Sequence, residues 1–270
     1  MNFHGWIMRV VLWLSAGLLA AAALSGQSAR SSGQPVANRE LLEELATAYH
    51  ILANTGVVDA YGHVSVRNPA DPSHYFLQRN LPPALSTAAD LVEYDLDSKP
   101  IAANAPAGFT ERYIHGEIYR ARPDVMAVVH FHAPEVIPFG VSGVPLRPIY
   151  HMAGFLGVGV PVFEIRDIGV TDMLIRSPEL GQGLAKSLGD KPVVLLRGHG
   201  AVAVAPSLHV AVGRAYYTMM NARLQAQAMQ MSANPMYLSP EEATRTAAQD
   251  GFERAWTLWK SEAGPVGARR

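Results

Sequence analysis

Met126-Ala-Val-Val-His-Phe-His132 decides how the chain is read, because an apolar run ends in two histidines one residue apart. Side chains alternate faces along a strand, so His130 and His132 share one face and Phe131 enters the opposite layer. Two imidazoles on one face are half a metal site. Downstream, Pro192-Val-Val-Leu-Leu196 is a short apolar run typical of a buried strand, and it leads into Arg197-Gly-His-Gly200. His199 sits between glycines that let a backbone turn close to a ligand. Three neutral imidazoles with an open position describe a catalytic divalent centre. A closed structural site usually takes four protein ligands, often thiolates, and the chain has no cysteine. Read singly, His130 and His132 are ordinary strand-end histidines and His199 a loop residue. The same-face pair together with a third histidine turns the reading toward a metal.

Just before the His130 strand, Thr110 is suited to cap a helix from Glu111 to about Ala121, which Pro123 stops. That helix leads straight into the strand, so it packs back on the sheet and returns its N-terminus near the histidines. Glu111 is then either the acid beside the metal or a solvent-facing first-turn carboxylate that only stabilises its helix. The helix dipole favours a carboxylate there, which either ligates in the resting state or moves protons once substrate displaces it. His115 lies one turn on, on the same face; for it and for Glu117 a structural role is expected.

Farther out, apolar residues at helical spacing predict a first helix over 39–55, closed by Gly56. Gly62-His-Val-Ser-Val-Arg67 alternates as a strand, Asn68 to Pro72 is a turn, and Tyr75–Gln78 and Asp90–Asp97 supply further strands. Residues 136–170, rich in glycine, proline and β-branched side chains, are expected as short strands and loops over the sheet. A helix from Glu179 to Leu188 precedes the His199 strand. Ser207 opens a long helix to about Met231, and Ser239-Pro-Glu-Glu242 is a capping box for one last helix carrying Trp256 and Trp259. Tyr216, Met219, Met220 and Met229 recur at helical spacing and predict core or subunit packing. Helices before, between and after short strands indicate a layered α/β domain with helices on both sides of a mixed sheet.

With 270 residues, 49% hydrophobic and 17% charged, the chain accommodates one catalytic domain. A formal net charge of −1 without a basic run implies neither nucleic acid nor an anionic membrane surface as partner. The first nine residues carry Arg9 and no acid, and Val10 to Leu24 form an uninterrupted apolar block. This reads as a secretory signal with a small-residue cleavage zone around Ala23 to Ala29, so the protein is expected to be exported, periplasmic or secreted. An uncleaved membrane anchor is the alternative. The expected division is 1–29 signal peptide, 30–37 linker, 38–262 catalytic domain and 263–270 tail.

Four separated motifs carry a resemblance: Gly62 to Arg67, Thr110-Glu111 opening a helix, Arg122 to His132, and Leu196-Arg-Gly-His-Gly200. In order and spacing they resemble the class II aldolase/adducin superfamily, the fuculose-phosphate and ribulose-phosphate aldolase and epimerase group, over roughly residues 38–235. The resemblance implies a three-layer α/β/α sandwich around a mixed, largely antiparallel sheet, assembled as a homotetramer. It also implies one divalent ion of zinc or manganese type per subunit on His130, His132 and His199, with Glu111 as acid/base and no organic cofactor. Sugar-phosphate aldolases of the family carry a Gly-Asn loop and a Ser-Ser pair for phosphate, where this chain has His63 and Phe109-Thr110. The stretches Gly56 to Arg67 and Arg147 to Leu156 look more like the decarboxylase branch, which acts on hydroxy-substituted aromatic, pyridine or ring-opened dicarboxylates.

Both branches use the ion as a Lewis acid for the enolate left when a carbon–carbon bond breaks. The expected function is therefore decarboxylation of a hydroxy- or oxo-substituted carboxylate, with His63, Arg79, Thr110 and His151 as candidate substrate contacts. An aldolase or epimerase acting on a sugar or sugar phosphate is the second reading. A non-catalytic adducin-like or metal-binding module is the third.

Overall fold

In the computed structural model, which describes residues 36–169, 171–249 and 251–264, seven strands build one sheet. They are β1 (His63–Arg67), β2 (His74–Gln78), β3 (Leu91–Asp95), β4 (Ala127–Phe131), β5 (Val162–Phe163), β6 (Val193–Leu196) and β7 (Gly200–Ala205). The order is β3-β2-β1-β4-β7-β6-β5, antiparallel throughout except for the parallel β5–β6 pair. Around it lie α1 (Val36–Asn54), α2 (Tyr113–Ala121), α3 (Ile137–Val141), α4 (Pro178–Leu188), α5 (Leu208–Met231), α6 (Pro240–Ala247) and α7 (Glu253–Ala263).

Alternation along the strands sorts the core into two layers. Val128, Val194, Val202 and Val204 pack against Ile114 and Ile118 of α2 and Leu180, Leu184 and Leu188 of α4. Val64, Val129, Phe131 and Ala203 face the other way, toward Leu45, Tyr49 and Leu52 of α1 and Val212 and Ala215 of α5. The α/β/α sandwich expected from the motifs is thus the observed architecture. Burying a phenylalanine as completely as Phe131, which is 0% exposed, contributes roughly 3 kcal/mol.

Local signals explain most boundaries. After α1, Gly56 takes a positive φ of 74°, the Val57 amide reaches back to the Leu52 carbonyl and the Gly56 amide to that of Ala53, a Schellman closure. Ser177 accepts from the Leu180 amide to open α4, and Ser239 with Glu242 forms the capping box of α6.

Several expectations are corrected. Thr110 does not cap α2: the helix starts at Tyr113 with Arg112 at its cap, and Thr110 and Glu111 lie in the preceding turn. Residues 136–170 hold α3 and a 3-10 stretch at His151–Val158 with only the two-residue β5, so the segment is more helical than its glycines and prolines suggest. The last helix is two. The chain breaks before α7 so that Phe252, at φ 56°, can pack against Gly213 of α5. The expected linker end, 36–37, is already helical; the rest of 1–35 and residues 265–270 lie outside the described residues. Among the described residues, no helix is long and apolar enough to cross a membrane.

Candidate metal centre and active site

His130 and His63 stand side by side in register on β4 and β1, both turned toward the α2 layer. His132 lies one residue past β4 and keeps the strand's direction, so its Nε2 comes within 2.9 Å of the His130 Nε2. The third imidazole arrives on the turn between β6 and β7. Gly198 there has a φ of 65°, and the His199 amide bonds to the Leu196 carbonyl. A Cβ on Gly200 would stand 2.2 Å from the Phe131 carbonyl oxygen, so only glycine lets β7 close on the end of β4. The turn thereby sets the His199 Nε2 3.1 Å from that of His132.

Glu111 completes the cluster from the α2 side. Its Oε2 lies 3.7 Å from the His130 Nε2 and 3.6 Å from the His199 Nε2, while Oε1 accepts from the Ile175 amide at 2.8 Å. The four side chains, one donor atom each, form a single group of metal-ligating type. Its chemistry fits a divalent ion. The Nδ1–H of His130 donates to the Ala201 carbonyl, leaving Nε2 as a lone-pair donor. Nitrogens bound at about 2.0–2.1 Å to one ion cannot be more than about 4.2 Å apart, and both measured pairs satisfy this.

Electrostatics keep His132, His199 and Glu111 in their ligating forms. Burial, together with the neighbouring imidazoles, lowers His132 to about 3 and His199 to about 4, against the partial pull of Glu111. Burial works to raise the Glu111 carboxyl, but the facing imidazoles of His130 and His199 and the Ile175 amide hold it down at about 2. Neutral imidazoles and an ionised carboxylate are the states that bind metal.

A cavity of about 420 Å³ opens on the cluster. It is lined by Glu111 and His132 and by His63, Thr110, Phe109 and Asn80. No lysine or arginine is among its lining residues. Of the expected substrate contacts, His63 and Thr110 border this cavity. Arg79 does not: its guanidinium is tied to Asp90 at 2.8 Å. His151 is also elsewhere, exposed at the head of the 3-10 stretch with its ring edge against Tyr150.

Asn80 carries no sequence signal of its own and Phe109 only its place where sugar-phosphate aldolases have a serine; both sit in irregular segments that tertiary packing brings to the cavity. His115 is fully buried behind His63, and Glu117 is buried beside Arg120.

A sandwich of this topology with a His-x-His pair on its central strand, a third histidine on the next hairpin and an acid ahead of a helix defines a class of protein. The chain belongs to the family described as Class II Aldolase and Adducin N-terminal domain, which matches residues 43–226. It is 42% identical over 239 residues to the decarboxylase tropJ of Talaromyces stipitatus, covering 79% of this chain and 90% of that protein. A 3,4-dihydroxyphthalate decarboxylase of Arthrobacter keyseri is 30% identical over 249 residues, covering 87% and 97%. In structure, an aldolase II superfamily protein from Pseudomonas syringae superposes with a TM-score of 0.72 at 24% identity, covering 88% and 97%. With its family and these relatives, the chain is a lyase.

Proposed function

We propose that the chain is a divalent-metal-dependent decarboxylase of hydroxy-substituted aromatic acids. The observation that carries the reading is the three-imidazole and carboxylate cluster opening on a cavity with an aromatic wall, Phe109, and no cationic lining residue. A sugar-phosphate substrate calls for cations or a backbone nest to hold its phosphate, whereas an aromatic carboxylate with an adjacent hydroxyl calls for a flat, partly apolar slot. Kinship with two named decarboxylases supports the same choice over an aldolase.

When bound, the ion supplies a Lewis acid for the substrate oxygens beside the breaking carbon–carbon bond. His130, His132 and His199 would hold it, and burial keeps His132 and His199 neutral. Glu111, anchored through Oε1 to Ile175, keeps Oε2 at the mouth of the cluster. There it takes the proton of the substrate hydroxyl adjacent to the carboxylate and returns it to the ring carbon that carbon dioxide leaves. Phe109 and the neighbouring apolar residues Leu81, Pro82 and Leu174 exclude water from that carbon.

The test is metal analysis of purified protein followed by a screen of dihydroxybenzoates and 3,4-dihydroxyphthalate, with carbon dioxide and aldehydes both measured. Metal-dependent carbon dioxide release is expected, and zinc or manganese in the protein. Aldehyde formation from a sugar phosphate instead would return the chain to the aldolase reading. The same reading has residues 1–29 direct export, so that the mature chain starts between about residues 24 and 31, as N-terminal sequencing would show. It also takes the working form to be a homotetramer, which light scattering measures directly.

A further inference from the structure

Behind the cavity runs a buried chain of hydrogen bonds that the metal cluster does not use. His63 Nδ1 lies 2.6 Å from His115 Nε2, His115 Nδ1 lies 2.6 Å from Ser65 Oγ, and Ser65 Oγ lies 2.8 Å from the Tyr119 hydroxyl. Strand alternation puts His63 and Ser65 on one face of β1, and four-residue spacing puts His115 and Tyr119 on one face of α2. All four side chains are at most 4% exposed.

The chain has a direction. Among the described residues, Ser65 Oγ is the only acceptor the Tyr119 hydroxyl has, so Tyr119 donates to Ser65. Ser65 then spends its own hydrogen on His115 Nδ1. His115 carries its proton on Nε2 and donates it to His63 Nδ1, and His63 in turn must carry its proton on Nε2. Running the bonds the other way would strand a buried phenol hydrogen with nothing to accept it, which is costly.

His63 Nε2 has no acceptor among the described residues, and His63 borders the cavity beside Glu111 and His132. Its ring lies 5.0 Å from that of His130 and 4.7 Å from that of Phe109.

We infer that His63 is a substrate-binding hydrogen-bond donor, its Nε2–H preset by the Tyr119–Ser65–His115 chain and aimed at an anionic oxygen of the substrate held beside the metal cluster. The inference deepens the decarboxylase reading for its ligand, since an aromatic carboxylate offers such an oxygen. His115, Ser65 and Tyr119 are positioning residues, because they act only through the tautomer of His63.

The tautomer is measurable without substrate. In zinc-loaded protein with ¹⁵N-labelled histidine, NMR should find the His63 proton on Nε2. In Tyr119→Phe the donor at the head of the chain is gone, Ser65 is free to reverse, and the His63 proton should spread over both nitrogens. A wild-type His63 protonated on Nδ1 overturns the inference, whatever reaction the enzyme catalyses.

Binding is the second arm, with 3,4-dihydroxybenzoate as probe and calorimetry of zinc-loaded protein as readout. His63→Leu should keep its zinc and weaken binding by roughly tenfold to a hundredfold, the worth of a hydrogen bond to a charged group. His63→Gln, which restores an N–H at nearly the same place, should recover most of that loss. Equal binding by wild type and His63→Leu overturns the inference. Absence of carbon dioxide release with both arms intact would instead count against the decarboxylase reading alone.

Discussion

β1 and β7 both lie against β4 and both are buried along their whole length, yet one reads His-Val-Ser-Val-Arg and the other Gly-Ala-Val-Ala-Val-Ala. β7 has an apolar layer on each side, and what it supplies is volume and closeness: small side chains, and a glycine that lets its backbone meet the end of β4. β1 places a polar side chain at every second position, and each of these meets α2 or the turns at its ends. Besides the His63–His115 and Ser65–Tyr119 contacts, Arg67 donates to the carbonyls of Val125, Pro72, Tyr119 and Arg122. A buried polar group is costly unless hydrogen-bonded, so these contacts admit one placement of α2 and penalise others. Glu111 lies two residues ahead of that helix. These polar contacts, added to the apolar packing of Ile114 and Ile118, bring the carboxylate to the histidines, while β7 contributes apolar packing and sets where the third imidazole falls.

The largest effect is expected where the two halves meet. His132→Ala should lose bound metal and fall to background activity with its fold retained, as metal analysis and circular dichroism would report. Stoichiometric metal in that variant would break the picture of a shared cluster. Next comes the group delivered by the β1 side: Glu111→Gln should keep its metal, because three imidazoles remain, and lose about a hundredfold or more in turnover. If metal leaves together with activity, Glu111 is a permanent ligand and another group must move the proton.

Stability separates the strands themselves. Arg67→Met strips four carbonyls of their donor, those of Val125 and Tyr119 fully buried, and should cost about 3 kcal/mol in denaturant unfolding. Val202→Ala, which trims an apolar side chain on β7, should cost about 2 kcal/mol through lost burial and a small cavity. The reverse ranking would deny β1 its special part in holding α2.

The smallest effect is a pH dependence that belongs to the β1 side. Burial and the neighbouring charge of His130 lower His115 to about 3, although Glu111 pulls the other way. The unfolded chain, with an ordinary imidazole near 6.5, therefore takes up the proton first. The stability due to the neutral imidazole is present in full above about pH 6.5 and is lost as pH falls toward 3. Between pH 7 and 6 the share of His115 is about 0.7 kcal/mol, read as the difference in slope between wild type and His115→Gln in urea titrations. Equal slopes would mean that His115 is not held neutral by its surroundings.

Much of this was legible in the chain before any coordinates. Periodicity marks α1, β1 to β3, α4 and α5, because those elements have faces that differ or ends that carry caps, and uninterrupted apolar runs mark β4 and β6. The same alternation put His130 and Phe131 on opposite sides of β4, and the glycines around His199 announced a turn that approaches something closely. β7 escaped notice, since a strand covered on both faces has no alternation to show and its alanines favour no sheet. The break before α7 was likewise invisible, being set by where Phe252 finds space against Gly213.

At the site, the donor types and their order are written in the chain: two imidazoles on a strand, a third in a glycine turn, a carboxylate ahead of a helix. Packing of the elements alone makes the four converge, ties Arg79 to Asp90, leaves His151 exposed, and backs His63 with His115, Ser65 and Tyr119. Spacing along a chain fixes which face a side chain takes within its own element. The distance between elements is set by packing, and hydrogen-bond partners 50 to 54 residues apart carry no mark of one another until the helix is laid on the sheet.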